Sequence, residues 1–148
     1  IPGNNERIWI ATGAAIGVAD SFLFGEITDA MKWLCLLIGL DYVTGWVAAC
    51  RRGELSSRVG LNGICRKMVI FLVVALGNGL DQMSAELIPF HLKDVSIFAL
   101  GLNEAISLLE NVDKLGYGHL IPGFIRDALD ALRQRTEKKI ARLKDDDE

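Results

Sequence analysis

Four carboxylates interrupt otherwise apolar stretches of this chain: Asp20, Asp41, Asp81 and Glu104. Asp41 is the most isolated, at the centre of the uncharged run WLCLLIGLDYVTGWVAAC, residues 33–50. As a helix that run is roughly 27 Å long, close to the hydrocarbon thickness of a bilayer. A lone acid at that depth costs about 2.5–3.5 kcal/mol on insertion scales, so a partner, a water-filled path or another subunit has to receive it. Covalent chemistry is not indicated. His91 and His119 are isolated, and the chain has no Ser-His-Asp order, no metal-ligand spacing and no glycine-rich phosphate loop before a helix. The chain is therefore not expected to be an enzyme, and neither a metal nor a cofactor is expected.

The acids have polar neighbours at helical spacing. Asn103, Glu104, Ser107, Glu110 and Asn111 fall on one face of a helix, with Phe98, Leu102, Ile106 and Leu109 opposite. Asp41 groups with Thr44 and Gly45, and Asn78 with Asp81 and Gln82. Such stripes on apolar helices are satisfied by each other, by another subunit or by water. They predict a polar inner face, an oligomer seam or a pore lining made of Asp41, Thr44, Asn78, Asp81, Asn103, Glu104, Ser107, Glu110 and Asn111. Gly13 and Gly17, with Gly45, are candidate close-packing positions between helices.

The elements that must position these groups are four apolar segments, residues 8–24, 33–50, 68–87 and 95–112. The bulk composition, 51% hydrophobic and 24% charged, would suit a soluble globule. Its distribution does not: residues 113–148 hold 8 basic and 8 acidic groups, as many basic groups as the whole of residues 1–112. An all-α integral membrane bundle of about four transmembrane helices is expected over residues 1–112. Residues 113–148 are expected to form a cytoplasmic amphipathic helix, with Ile125, Leu129, Leu132, Ile140 and Leu143 on one side, and an acidic tail. Residues 51–67 carry Arg51, Arg52, Arg58, Arg66 and Lys67 against the single acid Glu54. That marks a cytoplasmic boundary, as a plain loop or a surface helix, and places both termini inside. Cys35, Cys50 and Cys65 show no metal or disulfide spacing and are expected to be buried as small hydrophobes. No cleavable signal peptide is expected, and no basic tract with interleaved aromatics points to nucleic acid.

In order along the chain, Asp41-x-x-Thr44-Gly45, Leu55-Ser56-Ser57, Gly60-x-x-Gly63-x-x-Arg66-Lys67, Asn103-Glu104-x-x-Ser107-x-x-Glu110-Asn111, Gly116 and Pro122 resemble the phage-lysis and toxin-secretion holin family. The resemblance covers roughly residues 33–132. It implies a small multi-pass protein of the bacterial cytoplasmic membrane that assembles with copies of itself. It further implies lesions that release or activate an endolysin, or export a large toxin, leading to lysis. The lipid bilayer, the chain itself and functionally an endolysin or toxin are the partners it implies. From the residues alone two other classes stay open: a small ion- or proton-conducting channel or transporter using the buried acids, and a scaffolding membrane protein.

Overall fold

The computed structural model describes residues 3–84 and 89–145. It is all-α: α1 (Asn4–Phe24), α2 (Asp29–Arg51), α3 (Ser57–Met83), α4 (Leu92–Lys114) and α5 (Gly123–Asp145), with one 3-10 turn, Gly118–Leu120, before α5. Four helices are long and apolar enough to cross a membrane: Asn5–Phe24, Asp29–Arg51, Gly60–Met83 and Leu92–Lys114. Thr28 caps α2, its hydroxyl accepting from Met31 N at 3.3 Å. Asp29 in the first turn and Arg51 in the last complement the helix dipole. Gly25 (φ 64°) ends α1 in the left-handed region that a residue with a Cβ adopts only under strain.

α4 is the hub. It packs on α2, α3, α5 and the 3-10 turn, while α1 packs on α3. The core joins Met31, Leu34 and Ile38 of α2 to Ile70 and Val74 of α3 and Ile97 of α4. Phe24 and Phe71 close it edge to face, centroids 6.2 Å apart. Burying such aliphatic side chains is worth about 1.5–3 kcal/mol each in water. Between helices in lipid the gain comes from packing contacts and polar bonds.

The structure corrects three expectations. α3 opens at Ser57, so most of the basic segment 51–67 is helix continuous with the third span. The helix runs through Gly60 and Gly63, and Gly63 lies against the Tyr42 ring, where a Cβ would stand 3.2 Å from Tyr42 Cε2. The third span closes at Met83, and the expected extension through residues 85–87 lies outside the described residues. Cys35, Cys50 and Cys65 are free and exposed rather than buried. Lipid-facing positions of a membrane helix count as exposed on an isolated protomer, so apolar character along a span does not imply a place in the core. For the same reason Ile10, Ile16, Val18 and Phe22 of α1 stand fully out. Gly13 and Gly17 have no neighbour within 4 Å in the protomer, whereas Gly45 lies directly under the Asn111 amide.

Candidate functional site: a charge cluster between three helices

Asp41 sits about ten residues, or roughly 15 Å, from the α2 end at Arg51. Glu104 sits at the same distance from Lys114, and Lys67 at the same distance from Ser57. Parallel packing of α2 and α4, with α3 antiparallel to both, therefore brings the three to one level. There the Lys67 ammonium donates to both Asp41 Oδ2 and Glu104 Oε2. Glu104 is fully buried, and Asp41 and Lys67 nearly so. Asn111 Nδ2 donates to Asp41 Oδ1 at 2.9 Å and to the Asp41 carbonyl at 3.2 Å, an approach that the missing side chain of Gly45 permits. Arg66 Nη2 stands 3.8 Å from Glu104 Oε1, the one buried side-chain oxygen among the described residues without a hydrogen bond. Two cations thus face two acids, and the cluster carries no net charge. Thr44 turns its hydroxyl back to the Leu40 carbonyl at 2.8 Å. A cleft of about 230 Å³, lined by Tyr42, Trp46, Gly60, Ser107 and Lys114, leads from the basic ends of α3 and α4 down to Asp41 and Lys67.

Lys67 is the residue whose place differs most from expectation. It belongs to the centre of the cluster, not to the cytoplasmic boundary, because α3 begins ten residues before it and carries it inward. Arg51, Arg52 and Arg58 are exposed at the helix ends. Arg51 donates to the Leu115 carbonyl at 3.1 Å and lies 5.6 Å over the Tyr117 ring, while Arg52 pairs with Glu54 at 2.8 Å. The α4 stripe divides. Glu104, Ser107 and Asn111 point to α2 and α3, whereas Asn103 and Glu110, about 100–120° round the helix, are exposed.

A second polar cluster ties the opposite ends of the helices. Asp81 accepts from Leu92 N at 2.7 Å and Lys93 N at 2.9 Å, so a carboxylate of α3 caps α4. Asn78 Nδ2 donates to the Phe22 and Leu23 carbonyls at the end of α1, at 3.3 and 3.0 Å. Lys93, buried, donates to the Glu26 carbonyl at 2.7 Å. Lys93 carries no site signal of its own in the sequence, beyond being the one Lys in an acidic connector, twelve residues after Asp81.

The profile of the bacteriophage holin family matches residues 19–134, which takes in α2, α3, α4, both polar clusters and the first half of α5. The chain belongs to that family. Among its relatives, an uncharacterized protein of Halalkalibacterium halodurans is 35% identical over 131 residues, 86% of this chain and 95% of that protein. A probable holin of Bacillus phage phi105 is 35% identical over 135 residues, 84% of this chain and 91% of the phage protein. An uncharacterized 14.9 kDa protein of Clostridium perfringens is 31% identical over 121 residues, 82% of this chain and 89% of that one. No solved structure matches. Family and fold together make this holin-family chain a multi-pass, pore-forming membrane protein.

Proposed function

We propose that the chain is a holin that accumulates in the bacterial cytoplasmic membrane with both termini in the cytoplasm, assembles with itself and opens lesions that release an endolysin or export a protein toxin. The observation that carries this is the Asp41–Lys67–Glu104 cluster, which with Arg66 lets three apolar helices set four charged side chains against one another without net charge. In the closed protomer these polar faces are spent on each other. Separation of α2, α3 and α4 within an assembly would turn the same faces to water, each helix keeping an apolar side for lipid. The exposure of α1 before its last turn supports contacts with further copies, with Gly13 and Gly17 as places for close approach. The basic ends carrying Arg51, Arg52 and Arg58 support the cytoplasmic placement.

A relay along acids needs carboxylates placed as successive steps across the membrane, and Asp41 and Glu104 instead share one Lys67 ammonium at one level, so a lesion fits the cluster better than a conducting chain of acids.

Controlled expression in bacteria that carry a cytoplasmic reporter enzyme tests this. Wild type is expected to arrest growth abruptly and then leak the reporter. Asp41→Asn and Glu104→Gln each weaken a hydrogen bond to a charged group, worth about 1.5–3 kcal/mol. Both are expected to accumulate in the membrane as wild type does and to advance the onset of leakage, with the double variant earliest. Unchanged timing in both single variants and the double would exclude the cluster as the element that opens. Ion-selective conductance with no reporter outside the cells would exclude the lesion.

A further inference from the structure

α5 folds back along α4. Residues 132–140 of α5 lie beside Phe90, Val95 and Phe98 at the start of α4, across a cleft of about 400 Å³. One turn further, Ala99, Leu102 and Asn103 face Arg133 and Glu137 across a cleft of about 160 Å³. α4 rises about 34 Å from Leu92 to Lys114, so Phe98 stands about 24 Å from the Lys114 end. If α4 crossed the bilayer with α5 still in this place, Arg133, Arg135, Glu137, Lys138 and Lys139 would stand at a depth where even one charge is costly. The docked α5 and a lipid-embedded α4 exclude each other.

We propose that α5 is a releasable clasp on α4. Docked, it covers the side of α4 that carries Asn103 and keeps that helix from taking its full place in the membrane. Released about the turn at residues 115–122, it frees α4 to span and to present Asn103 and Glu110 to the interior of an assembly. The clasp rests on the pore-forming role proposed above. Its grip is loose, as a switch requires: the two clefts interrupt the contact, and Phe124, Ile125 and Leu132 of α5 remain exposed. One strut holds it. Arg126, in the first turn of α5, donates to both oxygens of Asp113 in the last turn of α4, at 2.8 and 2.5 Å. Those hydrogen bonds also push the Arg126 guanidinium pKa upward, so the strut stays charged on the basic side. Gly118 makes room for it, since a Cβ there would stand 2.0 Å from Asp113 Oδ1 and drive the carboxylate off Arg126.

The test uses the full chain with Cys35, Cys50 and Cys65 changed to alanine and Ile140→Cys, half-buried toward α4, as the reporter position. Asp113→Arg, Arg126→Asp, Gly118→Ala and the double charge swap are compared in membrane vesicles with the cytoplasmic face outward. Labelling by a membrane-impermeant maleimide is followed there, and leakage onset is followed in cells. An exposed bidentate pair biases a two-state contact by roughly two- to fivefold. Each single variant is expected to label faster and leak earlier by that factor, and the swap to return both to wild type. Unchanged labelling in all three single variants would overturn the clasp whatever the leakage does. Faster labelling with unchanged or later leakage would overturn its role in opening. A wild type that never leaks the reporter while labelling still responds to the strut would instead overturn the lesion.

Discussion

Lys67→Met is expected to remove most of the folded protein from the membrane, and Lys67→Met combined with Asp41→Leu to restore most of it. Among the described residues Lys67 is the one cation hydrogen-bonded to either acid; without it Asp41 keeps the Asn111 amide at 2.9 Å, and Glu104 keeps only Arg66, 3.8 Å away. Deleting the ammonium therefore strands both acids and leaves one guanidinium against two carboxylates. Breaking a buried pair by removing one partner costs about 3–5 kcal/mol, whereas replacing the whole set by apolar side chains of similar volume is often neutral or better. In a bilayer the penalty grows less than a dry-interior estimate implies, because helices can shift to find other partners. The order among variants is the informative quantity. Lys67→Met with Asp41→Leu and Lys67→Met with Glu104→Met should both exceed Lys67→Met alone. Yield of monodisperse protein in detergent and its thermal midpoint read this order. A Lys67→Met protein as stable as wild type would mean that the cluster contributes nothing to the closed bundle. The fully apolar triple variant separates stability from opening. It should accumulate well and leak late or never, since it has no polar faces to turn to water.

The acids of this cluster were legible before any fold was known, and their cation was not. Asp41 stands out because eight uncharged residues precede it and nine follow, so a helix places it at mid-membrane with no local partner. Glu104 stands out through the spacing of its polar neighbours. Lys67 hides because it follows Arg66 at the end of a charged, glycine-containing segment, which reads as a boundary. A faint signal exists: Gly60, Gly63 and Lys67 recur at three and four residues, as one helical face with small residues would, and that is the face α3 lays against Tyr42. The division of the α4 stripe had no local signal. Whether Asn103 or Asn111 meets α2 depends on helix rotation, which is set by which apolar residues pack, here Ile97 and Leu102. The Asp113–Arg126 strut was equally hidden, since it depends on how the turn at residues 115–122 redirects the chain. Helix identity, by contrast, follows from long apolar runs that have no other way to satisfy their backbone in lipid.

The second large effect is expected at the other end of the bundle. Asp81→Ala removes the one side chain among the described residues that caps α4, leaving Leu92 N and Lys93 N without their acceptors and Asp94 as the remaining acid at the helix N-terminus. Each stranded buried donor costs about 1–3 kcal/mol, and the lost charge at the dipole adds about 0.3–1 kcal/mol. Asp81→Asn keeps one acceptor oxygen and should fall between wild type and alanine. The damage should spread, because the same junction anchors α1. Gly77 brings the backbones of α3 and α4 so close that a Cβ there would stand 3.0 Å from Lys93 N, and Asn78, next to it, holds the α1 carbonyls. Loosening the start of α4 moves Lys93 away from Glu26 and leaves α1 held through Asn78 and Phe24. Hydrogen exchange in detergent micelles measures this directly. Faster exchange is expected in residues 92–96 and 22–28, with the Asp41–Lys67–Glu104 level of α2 and α3 protected as in wild type. Exchange confined to the first turn of α4 would show that the two clusters act separately, and that α1 owes its place to Asn78 rather than to the cap.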